Sequence, residues 1–195
     1  MGYVGSIVTQ NVVDTADIAD ASITTAKLAS GAITSAVMPT GSILQVKTAT
    51  KTTSQSNASS NSFSDISDLS QSITPSSTSS KILVLCSIAL SGSQDGTGRS
   101  FRFIRGSTHV GGGSEGSRKS VNFFSSPMSA DNNMAGSVGG HFLDSPSTTS
   151  ATTYKVQMTG YNSGVTTYIN TNQSRNGQAY DDIASSHLTL IEVQG

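Results

Sequence analysis

Apolar residues follow two different patterns along this chain, and the change falls near Pro39-Thr40-Gly41. Before that point they recur every five positions, at Val8, Val13, Ile18, Ile23, Leu28, Ile33 and Met38. A small residue stands two positions ahead of most of them: Ala16, Ala21, Ala26, Gly31 and Ala36. On a helix each such step turns by ~140°, so no single face forms. On a flat strand each step changes side. A stretch of this kind must bend once per repeat or wind with other copies round a common axis, which Ile18, Ile23, Leu28 and Ile33 would fill in turn. An amphipathic helix over residues 15–29, capped by Asp14 or Thr15 and ended by Gly31, is the competing reading.

Beyond residue 41 the pattern becomes short apolar runs divided by Ser, Gly and Asn. Residues 42–48 carry Ile43, Leu44 and Val46. Residues 81–90 form the most apolar run, which fits a central strand buried on both faces. Residues 100–105 set Phe101 and Phe103 against Arg102. Residues 152–159 alternate Tyr154, Val156 and Met158 with Thr153, Lys155 and Gln157, the mark of a half-buried strand. Residues 165–170 follow a hairpin-like Tyr161-Asn162-Ser163-Gly164, and residues 187–193 close the chain. Leu83, Leu85, Phe103, Tyr154, Val156 and Leu190 are the expected core. The expected fold is all-β: a jelly-roll-like β-sandwich head over residues 41–195, preceded by a repetitive stem and attachment segment over residues 1–40.

Composition supports strands over helices. Hydrophobic residues make up 34% of the 195 and charged residues only 12%, and there is no Trp. Ser and Thr supply nearly a third, and 19 residues are Gly; Thr favours strands, and Ser and Gly favour turns. Disordered chains of low hydrophobicity usually carry high net charge, whereas the formal charge here is -1. A β fold with a Ser/Thr skin, sharing its core with copies of itself, accounts for both facts.

The same numbers narrow the partners. No basic face with interleaved aromatics is present, so nucleic acid is not expected. No apolar run approaches the ~20 residues of a membrane span. Met1-Gly2-Tyr3-Val4-Gly5 lacks the basic and apolar regions of a secretory leader, so synthesis in a host cytoplasm is expected. The single Cys86 lies within the most apolar run and reads as a small buried hydrophobe.

Catalytic signals are weak, and neither an enzyme activity nor a cofactor is expected. His109, His141 and His187 have no Glu or Cys at metal-ligand spacing. In 111–120 the Lys falls three residues after Gly116 and no helix pattern follows, so the stretch reads as a loop and not as a phosphate cradle. Asp131-Asn132-Asn133 and Asp181-Asp182 lack a full spaced set of Ca²⁺ ligands. Recognition chemistry is better represented. Arg99, Arg102, Arg105, Tyr161, Asn162, Tyr180 and Asp182 fall in or beside expected loops and are of types that bind sugars and protein surfaces. Arg99, Tyr161, Asn162, Tyr180 and Asp182 are the candidate receptor contacts. Tyr3, Val4, Ile7, Val8, Val12 and Val13 form an apolar N-terminal cluster suited to docking on another protein.

Two resemblances add to this reading. Ala16-Asp17-Ile18-Ala19-Asp20 and Ala21-Ser22-Ile23-Thr24-Thr25 resemble pentapeptide-repeat solenoids, and residues 21–34 also resemble stretches common in phage fibre stems. Ser72-Ile73-Thr74-Pro75, Lys81-Ile82-Leu83-Val84, Arg102-Phe103-Ile104-Arg105-Gly106, Phe142-Leu143-Asp144-Ser145-Pro146 and His187-Leu188-Thr189-Leu190-Ile191-Glu192-Val193 resemble a family of virion structural and fibre proteins of tailed phages, many from marine and cyanobacterial hosts. That resemblance implies a homotrimer on the virion surface and names no catalytic residues. The expected function is a phage surface fibre or spike whose head contacts a host glycan or protein and whose N-terminus binds capsid or tail proteins. A capsid decoration protein is the alternative, favoured by the short stem. A polysaccharide-degrading tailspike ranks third, since the chain has no room for a long β-helix.

Overall fold

The computed structural model describes residues 23–24, 33–34, 37–58, 62–92, 98–125, 136–160, 166–172 and 183–195. The chain divides between Met38 and Pro39, and the second unit runs from Pro39 to Gly195. Of the five-residue repeat, Ile23, Ile33 and Met38 are described; the first two are exposed and Met38 is half-buried. Ile18 and Leu28 lie outside the described residues, as do the N-terminal cluster from Tyr3 to Val13 and, apart from residues 23–24, the competing helix.

The second unit is all-β. Its strands are β1 (Ile43–Lys51), β2 (Gln55–Asn57), β3 (Ser64–Ile73), β4 (Lys81–Gly92), β5 (Arg99–Arg105), β6 (Thr108–Val110), β7 (Phe123–Ser125), β8 (Gly136–Asp144), β9 (Thr152–Gly160), β10 (Thr167–Ile169) and β11 (Ser186–Val193). All ladders are antiparallel and they nest: β1 pairs with β11, β3 with β9, β4 with β8, and β5 with β6 and β7. Two further ladders, β11 on β4 and β9 on β5, close the nest into two sheets. One sheet reads β1-β11-β4-β8, with β10 and β2 continuing beside the far end of β4; the other reads β3-β9-β5, with β6 and β7 sharing the outer edge of β5. This is the strand order of a jelly roll.

Alternation sets the core. In β9, Tyr154, Val156 and Met158 point inward and are fully buried, opposite Phe103 and Phe101 of β5. In β4 the inward set is Ile82, Val84, Cys86, Ile88 and Leu90, and in β11 it is Leu188 and Leu190. Each such aliphatic side chain stabilises the fold by about 1.5–3 kcal/mol relative to exposure. Phe123 of β7 stacks on Phe101, with centroids 5.3 Å apart. Burial pushes the Cys86 thiol up to about 12, which leaves it an inert part of the core.

The expectation fails in one respect. Leu83 and Leu85 are not in the core: they point out of the sandwich and are half-buried. In 82–86 every residue is apolar, so the sequence carries no polar marker of phase. The inward phase goes to Ile82, Val84 and Cys86, across from Phe142 and Gly140 of β8. β4 is central within its sheet but covered on one face only.

Polar groups close both ends of the sandwich. At one end Asn170, in the left-handed region at φ 61, donates from Nδ2 to the carbonyls of Lys51 (2.8 Å) and Thr53 (3.1 Å) and accepts from Ser186 Oγ. Asn tolerates that conformation better than most residues. The buried Lys51 ammonium donates to Ser67 Oγ at 2.7 Å and Thr53 Oγ1 at 3.0 Å, 3.5 Å from the Asp68 carboxylate. At the other end Glu192 accepts from Gln45 Nε2, the Ser76 amide and hydroxyl, and Ser80 Oγ. That carboxylate holds the β3–β4 connection against β11.

Candidate interaction surface

The outer faces of the two sheets differ in kind. On the β3-β9-β5 sheet, Asp65, Lys155, Gln157 and Arg102 form one polar chain. Lys155 Nζ and Gln157 Nε2 donate to Asp65 at 2.7 and 2.6 Å, and Arg102 Nε donates to Gln157 Oε1 at 2.8 Å. The Arg102 guanidinium also lies 3.8 Å from the centroid of the Phe63 ring, a cation–π contact. Burial alone would raise the Asp65 carboxyl, but the hydrogen bonds from Lys155 and Gln157 and the neighbouring positive charges hold it below the usual carboxylate range. Such a face is satisfied in water.

On the β1-β11-β4-β8 sheet the outward charge is Lys81, opposite Val193 at one end of β4, whose Nζ donates to Ser145 Oγ at 2.8 Å; the rows beyond it are uncharged. Register places Val46, Ile191, Leu83 and Leu143 in one row across all four strands. The next row is Thr48, Thr189, Leu85 and His141, and the one after it Thr50, His187, Ser87 and Gly139. These three rows contain no Asp, Glu, Lys or Arg. Val46 is 53% exposed and Leu143 52%. The solvated face of an antiparallel sandwich is ordinarily polar, and this row departs from that rule.

The remaining polar groups on this face bond locally. Thr48 and Thr189 hydroxyls stand 3.4 Å apart, and His187 meets Thr50 Oγ1 at 3.2 Å and Ser185 Oγ at 3.0 Å. Gly139, facing Ser87, adds no side chain, and a shallow hollow of about 330 Å³ opens between His141, His187 and Thr189 over Leu85. A second hollow, about 340 Å³, lies at the rim between Arg105, Pro146, Thr148 and Thr153. There Arg105 Nη1 is already engaged with both Asp144 oxygens, at 2.9 and 2.8 Å.

The candidate receptor contacts fare unequally. Arg99 is 0% exposed, so it does not offer its charge at the surface. Its guanidinium lies against Gly92, where a Cβ would collide with it, and burial lowers its pKa. Arg102 and Arg105 belong to strand β5 and are engaged within the head, Arg102 on its outer face with Gln157 and Phe63 and Arg105 at the rim with Asp144. Tyr161, Asn162, Tyr180 and Asp182 lie outside the described residues, as do Asp131-Asn132-Asn133 and Asp181. Among the described residues no three His, Cys, Asp or Glu side chains converge in a way that could hold a metal. His109 instead bonds Asn122 Oδ1 at 2.9 Å beside the β6 hairpin. The apolar outer row was not singled out from sequence, although its signal was present: a run apolar on both faces, where β9 alternates cleanly.

No family model matches the chain, and no curated protein matches it. Among solved structures, one described as the structure of the infectious bursal disease virus Gx strain overlaps with a TM-score of 0.38 at 13% identity, covering 77% of this chain and 36% of that one. The chain thus spans about a third of that protein's length. An overlap of this size assigns no function.

Proposed function

We propose that this chain is a non-enzymatic structural protein of a phage particle, a homotrimeric surface fibre or spike whose jelly-roll head projects outward. The observation that carries the reading is the exposed apolar row Val46-Ile191-Leu83-Leu143, flanked by uncharged rows on the outer face of the β1-β11-β4-β8 sheet, on a head whose other outer face is charged and satisfied. A free-standing soluble domain has no use for such a face, whereas a subunit of a larger assembly does. The fibre-like stretch at 21–34 and the five-residue repeat support a symmetric stem. The N-terminal apolar residues Tyr3, Val4, Ile7, Val8, Val12 and Val13 then bind capsid or tail proteins, and the head's loops meet a host glycan or protein.

Sedimentation equilibrium of the purified full chain is expected to give the mass of three copies; a folded monomer at micromolar concentration would refute the reading. Antibody-labelled sections of particles then locate the protein. Label at the tail supports a fibre or spike, and label over the whole shell replaces it with a capsid decoration protein. Release of reducing sugar from host polysaccharide would replace both with a tailspike.

A further inference from the structure

We infer that the hollow at the rim, between the β5–β6 turn and the β8–β9 loop, binds a carboxylate-bearing sugar, a uronic acid residue of a glycan, on the free edge of Arg105. This rests on the reading of the head as the part that meets a host glycan, and it names the place and the class of sugar.

Arg105 is the charged side chain among the described residues that line this hollow of about 340 Å³. Its hydrogen bonds all leave from Nη1, two to the Asp144 oxygens and one, at 3.4 Å, to the Ser145 carbonyl. Among the described residues nothing bonds Nε or Nη2, and the side chain is 30% exposed. Those two nitrogens form a side of the guanidinium fork that meets a carboxylate with two parallel hydrogen bonds. Asp144 does not take that edge, because Nη1 and the Tyr154 hydroxyl hold it where it is. The local charge also fits one carboxylate. Arg105 and Asp144 offset each other, and Lys81, whose Nζ donates to Ser145 Oγ, leaves one positive charge beside the hollow. A dianionic phosphate would exceed it.

The rest of the lining suits a sugar ring. Thr148, Thr152 and Thr153 bring hydroxyls, which donate and accept as sugar hydroxyls do, and Pro146 and Ala151 bring apolar surface. The volume lies at the lower end of ligand sites, about 300–1,000 Å³, so it takes one ring. Both walls are set in advance. The Gly106 amide donates to the Thr153 carbonyl at 2.8 Å, which ties the β5–β6 turn to β9. Thr148 Oγ1 accepts from the Ser150 amide and Thr152 Oγ1 donates to the Ser150 carbonyl, both at 3.0 Å, which fixes the β8–β9 loop. These bonds leave the Thr148 hydroxyl proton and the Thr152 oxygen lone pairs for a ligand. A site formed in advance loses less freedom on binding.

The test is isothermal titration calorimetry of the full chain with the methyl glycosides of glucuronic and galacturonic acid, each against its neutral counterpart, methyl glucoside or methyl galactoside. At least one acid is expected to bind about tenfold tighter than its counterpart, or better. Ala151→Phe fills the hollow from an exposed position and is expected to abolish that binding while the circular dichroism stays native. Arg105→Lys keeps a charge opposite Asp144 but has no two-nitrogen edge, and is expected to lose the preference for the acid. Equal affinity for acid and neutral sugar in the parent overturns the inference, as does no binding of either acid, and so does unchanged acid binding in folded Ala151→Phe. If Arg105→Lys does not fold, the parent pairs and Ala151→Phe still decide. Sedimentation and particle labelling report on the assembly separately. A trimer on the particle that ignores both acids sinks this site and leaves the proposed structural role standing. Acid binding by a monomer keeps the site and removes the three-fold reading.

Discussion

Tyr154 donates its phenolic hydrogen to Asp144 Oδ2 at 2.6 Å, joining the two sheets through a fully buried ring and a carboxylate that also holds Arg105. Burial, reinforced by the Asp144 acceptor, raises the Tyr154 pKa well above its ordinary value. Removing the hydroxyl alone, in Tyr154→Phe, leaves Asp144 paired with Arg105 and should cost about 1 kcal/mol. Asp144→Ala strands the buried hydroxyl and should cost more, about 2–3 kcal/mol. Urea unfolding of both variants checks the order. The sign of the pH effect follows from the raised value. The unfolded chain ionises its tyrosine first, so this contribution is complete below pH ~10 and is lost as pH rises beyond it. Tyr154→Phe should therefore lose less stability than the parent between neutral and strongly alkaline pH.

Glu192 shows the opposite sign. Burial alone would raise its carboxyl, but the donors from Gln45, Ser76 and Ser80 outweigh it and hold the value below the usual range. Its contribution is thus present above pH ~4.3 and is lost as pH falls through the lowered folded value. Glu192→Gln keeps the shape, removes the charge and turns one acceptor into a donor facing other donors. It should cost about 1–3 kcal/mol at neutral pH, with the gap to the parent narrowing in acid. A gap that stays constant from neutral pH to pH ~3 would show that the carboxylate is not the group at work.

Val156 tests the sandwich itself. It is fully buried on β9, in register with Phe103. Val156→Asp places a charge among apolar side chains with no partner, and several kcal/mol of destabilisation is expected. A variant that melts with the parent would mean that β9 does not face the core.

How much of this was legible follows from where alternation was clean. β9 could be read residue by residue, since Thr153, Lys155 and Gln157 mark its outer face. β3 escaped because Ile66, Leu69 and Ile73 fall at helical spacing. The strand accommodates that spacing through a register shift, in which five steps from Asp65 to Ser70 face two steps from Gln157 to Lys155, with Asp68 at φ 64. β8 escaped because Gly136, Gly139 and Gly140 have little strand propensity. Only the packing shows why they are there. Arg99 reads as a surface residue by type, and the room left by Gly92 that lets it be buried has no signature in sequence. The apolar outer row was half legible: the run at 82–86 signals two covered faces, and among the described residues only the inner one is covered.

Gly140 offers a sharp test of the packing between the sheets. A Cβ there would stand 2.2 Å from the Phe123 ring, which itself stacks on Phe101 and tilts against Phe103 at 5.5 Å. The missing side chain on β8 is therefore what lets the β7 aromatic close the core. Phe123 is held between two other rings and has little freedom to retreat, so Gly140→Ala should cost about 1–3 kcal/mol by overpacking. Gly113 is the control: it lies in the loop after β6, its φ is not positive, and a Cβ there meets nothing within 4 Å. Gly113→Ala should be neutral or add up to about 1 kcal/mol by restricting the unfolded chain. Thermal melts of the two variants side by side decide the matter. Equal melting points would mean that Phe123 moves freely and that the three-ring contact does not fix the distance between the sheets.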